Sequence, residues 1–505
     1  MTKEKSSMNI LDKAISFISP RAAFERLAWR SGLRNFDAGR SDRLNAGWTP
    51  INSPAESINQ GQRDKLRARA RDLERNADIA ESIISAYERN VVGSGITLQA
   101  KPLKKDGTED KELGRKMEDI FFDWCEKEYC DIAQELCFEE MQELIVRRMI
   151  VDGGILLVMS SNPYDKTAIP FMLQIREVDE IDGNKFSYKL ENGNRIINGI
   201  EVNQYNKIVA YWLKTITPDG LSIGDSVRVA ADRVIYMRKK KRPSQIREVS
   251  KLSTTAERVR DVNEYSEAVS IKERVLACLS VFIKKQLPTG GLGRGNIPAA
   301  QKDASSGYEM KTLAPGMITE LQPGDDVSSV NPAGQASNAK EFITSQQRLI
   351  ASGQGLSYEA ASRDMSQVNY SSARQGLIED RKTYENMQMY LKRHFCSVVY
   401  KEVITNAVLM GKLEIPDFFS DKARYLYHSW IAPGMSWIDP LKEVKANESA
   451  LITNQTTLAQ ICAQNGQDWR EVVSQRAEEI NYIKSLGIKE EDEVNENAKN
   501  NTADK

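Results

Sequence analysis

The spacing of apolar residues divides this chain into helical, extended and unpatterned stretches. From Gln62 to Val92, Leu66, Leu73, Ile79, Ile83, Ile84 and Tyr87 recur near helical spacing and predict a helical pair. Residues 111–150 read as helix again, through Met117, Ile120, Phe121 and Trp124, then Met141, Leu144, Ile145 and Met149. At Asp152-Gly153-Gly154 the period changes. Four runs, ILLVMSS, PFMLQIREV, KIVAYWL and RVIYMR, lie between there and Met237 and predict a small β-rich domain, with hairpin turns at Asn192-Gly193-Asn194 and Asp219-Gly220. After the basic run Arg238 to Arg242, a helix is expected from Ala256 to Lys285. Its second half, Val275 to Ile283, is apolar on nearly every side and so requires burial all round, in a core or between subunits.

Residues 287–336 are rich in Gly, Pro and Ser, with short strand-like pieces (GYEMKTL, GMITEL), and suggest a small protruding α/β module. A second helix is predicted over 338–351, with Phe342 and Leu349, and Ile343 and Ile350, seven residues apart. Gly353 and Gly355 end it, and Ser371 or Ser372 is placed to cap the next helix. From Leu377 to Met410 run 34 residues without Gly or Pro. As one helix they would reach about 50 Å at 1.5 Å per residue. Residues 1–60, Arg-rich with three prolines, read as an arm that needs a partner to order, and 488–505 as a disordered tail.

Composition narrows the function. At 505 residues, 40% apolar and 28% charged, the chain can build several subdomains. Seventy basic and 71 acidic residues leave a net charge of −1, without the basic excess of a protein that grips DNA tightly. The basic face of Arg63, Lys65, Arg67, Arg69, Arg71 and Arg75 reads as solvated, or as a contact with nucleic acid or an acidic neighbour. The N-terminus lacks the apolar core of a signal peptide, and the longest apolar run falls short of the roughly 18 residues of a membrane span. Six cysteines fit a cytosolic chain with reduced thiols.

Chemistry-bearing patterns are weak throughout. His394 and His428 sit among helical or aromatic neighbours and read as structural. Cys125, Cys130 and Cys137 have no zinc spacing. The acids Glu177, Asp179, Glu180 and Asp182 fail the calcium-loop pattern and read as an acidic turn after a strand. Gly290, Gly291, Gly293 and Gly295 match neither the Walker nor the dinucleotide pattern. The expectation is a protein that is not an enzyme and has no cofactor or metal.

Six pieces in order carry a resemblance. They are Arg69 to Asp72 with Leu73, Arg75 and Asn76; Asn90 to Ile96; Tyr358-Glu359 with Arg363-Asp364; Asn369 to Arg374; Trp430 with Pro433-Gly434; and Asp439-Pro440 with Lys442-Glu443. Together they resemble the portal proteins of the lambda family of tailed bacteriophages. One departure is Arg242-Pro243-Ser244-Gln245-Ile246-Arg247, which lacks a Gly the family often has there.

The resemblance implies an α+β, mainly helical portal fold with wing, stem, clip and crown regions, long helices and a small β-rich wing domain. It divides the chain into an N-terminal arm (1–60), wing (61–255), first stem helix (256–286), clip (287–336), second stem helix (337–352), tunnel loop (353–374), long helix and wing return (375–440), crown (441–487) and tail (488–505). It implies a homo-oligomer of twelve copies at one capsid vertex of the virion, assembled in the host cytoplasm. That ring would form the channel for packaging and ejecting double-stranded DNA, without sequence preference. The further partners implied are the terminase large subunit, the major capsid and scaffolding proteins and a head-tail connector protein, with no membrane. Ser357, Arg363, Asp364, Ser366, Gln367, Asn369, Ser371 and Arg374 would face the DNA channel. Rings of Arg363 and Asp364 would cancel over roughly a Debye length, about 8 Å. Val275, Leu279, Phe282, Phe342 and Leu349 would form the subunit interface. Two other readings stay open on the residues alone: another ring-forming connector or tail component, and a sequence-independent DNA-binding protein.

Overall fold

A computed structural model describes residues 50–486 apart from 218, 278–280, 284–317, 321–338, 367–368, 435–439 and 465–466, together with positions 15, 17, 19 and 21. Most of the expected arm, nearly all of the Gly-rich module and the C-terminal tail lie outside the described residues. The chain forms two compact units, Met1–Ile58 and Asn59–Lys505. The second is a mainly helical body with small sheets.

The predicted helical pair is α1 (Arg63–Asn76) and α2 (Asp78–Val91), joined at extended Ala77. The next helices are α3 (Lys111–Cys125) and α4 (Phe138–Val151). Gly153 then turns the chain with φ +88°, where a Cβ would lie 2.4 Å from the Val249 carbonyl, so no other residue fits without displacing backbone. Strand β2 (Gly154–Ser160) pairs antiparallel with β3 (Met172–Arg176) on one side and β8 (Val234–Arg238) on the other. A four-stranded antiparallel sheet runs β4 (Arg195–Ile197), β5 (Ile200–Val202), β6 (Ile208–Ile216), β7 (Ser222–Ala230). Gly193 and Gly220, at the two predicted turns, both have positive φ.

Helix α5 spans Ala256–Ala277 and does not continue to Lys285. Val281–Ile283 is instead a strand, β9, parallel to β10 (Ile318–Glu320). β-branched Val281 and Ile283 around Phe282 favour the extended chain, and the continuous apolar run concealed that switch of state. Helix α6 follows at Ala339–Gln354, then the short α7 at Tyr358–Ser362. The helix holding the Gly-free stretch starts earlier than expected, at Tyr370, and takes in Gly376, but is not uniformly α. α8 (Tyr370–Leu391) passes through one π turn, Lys392–Cys396, into α9 (Ser397–Leu409). β11 (His428–Ile431) returns to pair with β1 (Thr97–Ala100), and three further helices cover Pro440–Ile452, Leu458–Gln464 and Trp469–Ser485.

One core joins α2, α3, α4, β2 and the α8–α9 helix. Phe121 stands at its centre, with ring centroids 5.5 Å from Phe138, 5.8 Å from Tyr400, 5.8 Å from Trp430 and 5.9 Å from Trp124. The π turn inserts one extra residue per turn and brings Phe395 onto Phe138 at 5.2 Å, stacked. Truncating a ring so enclosed costs about 3–5 kcal/mol. A second, smaller core under the four-stranded sheet gathers Leu156, Ile181, Ile200, Val202, Tyr211, Leu213 and Val234.

Candidate functional site

The segment between α6 and α8 is anchored before it becomes exposed. Gly355 takes φ +79°, and Leu356 N–H closes back onto the Ala351 carbonyl at 3.0 Å, which sets Leu356 into the core. The Gln354 carbonyl accepts from Tyr87 Oη at 2.7 Å and from Lys251 Nζ at 2.9 Å. Its side chain donates to Thr255 Oγ1 at 2.7 Å. Lys251 also donates to the Tyr87 hydroxyl. Burial, with Lys239 and Lys241 nearby, lowers its ammonium to about 7. α2, α6 and the turn before α5 thus meet at Gln354.

Ser357 is half-buried and tied to α8. Its N–H donates to Asp380 Oδ1 at 2.7 Å and its hydroxyl to Oδ2 at 2.6 Å. The same hydroxyl accepts from Ala360 N–H at 3.2 Å and so caps α7. Gly376 packs beside Ser357, where a Cβ would lie in ordinary contact 3.4 Å from Ser357 Cβ. Burial raises the Asp380 carboxyl above its ordinary range despite the two Ser357 bonds.

α7 ends at Arg363 in the left-handed conformation, φ 58°. Asp364 accepts from Tyr358 Oη at 3.1 Å and from Ser366 N–H at 3.0 Å, and these bonds hold its carboxyl below the usual range. The cap of α8 is Asn369, not Ser371 or Ser372. Its Oδ1 accepts from Ser372 N–H at 2.8 Å, and Ser372 Oγ accepts from Asn369 N–H in return. The β-region φ of Asn369 starts the helix at Tyr370, so Ser371 and Arg374 stand on its first turns. Arg363, Ser366, Asn369, Ser371 and Arg374 are exposed, Asp364 is half-buried, and Gln367 lies outside the described residues.

Of the residues expected between subunits, Phe342 and Leu349 are 42% and 47% exposed on α6, with the Phe342 ring 4.8 Å from that of Tyr265 on α5. The side chains of Val275, Leu279 and Phe282 lie outside the described residues.

Two sequence features explain each other. Arg67 and Arg71, read as a solvated or nucleic-acid-binding face, turn inward to the acidic turn and to Glu248. Arg67 pairs with Asp179 and Glu248, both at 3.1 Å, and Arg71 with Asp152 at 2.6 Å and Asp179 at 2.7 Å. Arg63 Nε donates to the Glu248 carbonyl at 3.2 Å. Arg176 holds Glu180 and Lys214 holds Asp182. The acids that invited a metal reading are therefore held by cations, and among the described residues no group of three His, Cys, Asp or Glu is placed to bind a metal. His428 bonds Leu426 O and Ser397 Oγ against the Tyr400 ring, and His394 packs on Tyr390. No helix among the described residues is long and apolar enough to cross a membrane.

Comparison with known proteins gives the chain a family. Residues 41–388 match the family described as phage portal protein, lambda family. The "probable portal protein" of Halomonas phage phiHAP-1 is 28% identical over 471 residues, covering 90% of this chain and 88% of its own. Portal protein B of Escherichia phage lambda is 22% identical over 480 residues, covering 88% of each chain. A chain from the neck of an empty gene transfer agent particle, computed with C6 symmetry, aligns over 85% of this chain and 99% of its own at 12% identity, with a TM-score of 0.39. On the extent of the family match, this chain belongs to the lambda family of phage portal proteins, structural components rather than enzymes.

Proposed function

We propose that the chain assembles into a closed ring of twelve copies at a single capsid vertex, whose axial hole passes double-stranded DNA during packaging and ejection. The observation that carries the reading is the family match over 41–388, extended by relatives that span about nine-tenths of both chains. In that ring α5 and α6 are the stem, residues 287–336 the clip, 61–255 the wing and 441–487 the crown. Residues 353–374 are the tunnel loop at the narrowest part of the channel, and the terminase large subunit and the connector dock on the clip. The charge balance supports a channel wall, since a net charge of −1 leaves little overall attraction to hold a moving duplex. The loop's architecture supports it too: its foot is fixed by Gln354 and Ser357, while Arg363, Ser366 and Asn369 stand in solvent.

Native mass measurement and electron-microscope class averages of the purified protein test the assembly. A ring is expected, with twelve copies when it is assembled in a particle. A species that stays monomeric at every concentration, and in the presence of scaffolding and capsid proteins, overturns the reading.

A further inference from the structure

Five consecutive basic residues, Arg238 to Arg242, follow β8, and the proposed ring leaves them without a task. They divide in two. Arg238 belongs to the core, with its N–H donating to Tyr390 Oη at 3.2 Å and its guanidinium 4.9 Å over the Tyr236 ring. Lys239, Lys240, Lys241 and Arg242 are exposed.

The turn that presents them is held from beneath. Gln245, 3% exposed, accepts from Lys241 N–H at 2.8 Å and donates to the Arg247 carbonyl at 2.9 Å, and Pro243 restricts the backbone between them. Nearby Arg67, Arg71 and Arg247 each have a carboxylate partner. Among the described residues no carboxylate forms an ion pair with Lys239, Lys240 or Lys241, and Lys239 lies instead 5.6 Å over the Tyr390 ring. Lys251, whose proton affinity is lowered first by burial and then by Lys239 and Lys241, bonds the Gln354 carbonyl at the foot of the loop at 2.9 Å.

We propose that Lys239, Lys240 and Lys241 form a phosphate-contacting surface for duplex DNA beside the foot of the tunnel loop, and that this surface supplies the chain's main electrostatic attraction to the duplex. The inference rests on the portal reading. Unshared like charges held on a stiff turn repel one another, and a polyanion removes that cost. Lysines act as compact point charges and lack the bidentate fork that selects carboxylates, so three in a row favour irregular phosphate contact over a fixed acidic protein partner. The loop cannot supply the same attraction, because Asp364 stands beside Arg363.

The test is binding of the full-length protein to a mixed-sequence duplex of about 30 base pairs, across salt from about 50 to 200 mM, where each lost phosphate contact removes about 0.9 from the slope of log K against log salt. The variant carrying Lys239→Ala, Lys240→Ala and Lys241→Ala should lose about two to three from the slope. A control with Lys65→Ala, Arg69→Ala and Arg75→Ala, exposed cations of α1, should keep it. An unchanged slope in the first variant, an equal loss in the control, or binding of polyglutamate in preference to DNA at this surface overturns the inference. Oligomer mass is read in parallel. An unassembled protein that still shows the slope change removes the portal function and leaves the DNA surface standing, whereas a ring with no slope change does the reverse.

Discussion

Glu248 is fully buried, and its carboxylate meets Arg67 Nη1 at 3.1 Å, Arg247 Nη2 at 3.0 Å and the Tyr236 hydroxyl. Burial alone would push the carboxyl up. Arg247 foremost, then Arg63 and the Tyr236 hydroxyl, outweigh it and hold the group at about 2, against an ordinary value of 4.5. An acid depressed in the folded state binds fewer protons there than in the unfolded chain. Its stabilisation is therefore complete above about 4.5 and is lost as pH falls towards about 2. Glu248→Gln should lower stability at pH 7 by roughly 3–5 kcal/mol, because it leaves buried guanidinium groups uncompensated. It should also flatten the fall in denaturant midpoint between about pH 4.5 and 3 relative to the parent. A variant that keeps the parent's acid dependence would show that other carboxylates set it. The cations of α1 were legible in the sequence, and the inward direction of Arg63, Arg67 and Arg71 was not. The partner of Arg67 lies 181 residues away, and apolar periodicity carries no information about a charged side chain that is buried by pairing.

Elements whose own residues dictate them were readable: the α1–α2 pair, the strands β2, β3, β6 and β8, and the long helix through Tyr400 from Leu377 onward. Those dictated by distant pairing were not, as with β1 and β11, whose partners Leu98 and Trp430 are separated by most of the chain. β7, whose sequence SIGDSVRVA alternates weakly, needs its neighbour β6 to be seen. The loop between α7 and α8 combines both kinds of information. Its turn residues are local, while its anchor Asp380 stands on the third turn of the next helix. Because the anchors are Ser357 and Asn369, removing Ser362 to Gln367 spares both the Asp380 bonds and the α8 cap. That deletion should leave the melting temperature within a few degrees of the parent and oligomer mass unchanged, since the bonds that fix both ends of the segment remain. DNA packaging or retention should fall. Loss of folding, or packaging at the parent level, would each reject the loop as a channel contact.

At the scale of the whole molecule, the second unit leaves a line of apolar side chains uncovered along its paired helices: Ile271 on α5, and Phe342 and Leu349 on α6, each more than two-fifths exposed. The helices do not fold back to hide them, for Phe342 already rests on Tyr265 and still remains exposed. A closed ring buries such a face by pressing it against a different face of the next copy, so one patch serves every interface. The same sites can therefore separate folding from assembly. Leu349→Asp places a carboxylate where the single chain is half open to water, so its cost to folding should stay below about 1 kcal/mol. If this face lies between copies of the proposed ring, the same carboxylate is enclosed there without a partner, at several kcal/mol per interface. The expected variant has the parent's circular dichroism and melting profile as a monomer and forms no ring by native mass. Ile350→Asp, one residue along and fully buried, should instead unfold the chain. If Leu349→Asp gives rings of parental mass while Ile350→Asp unfolds, α6 does not face the neighbouring subunit and the contact must be sought elsewhere on the second unit.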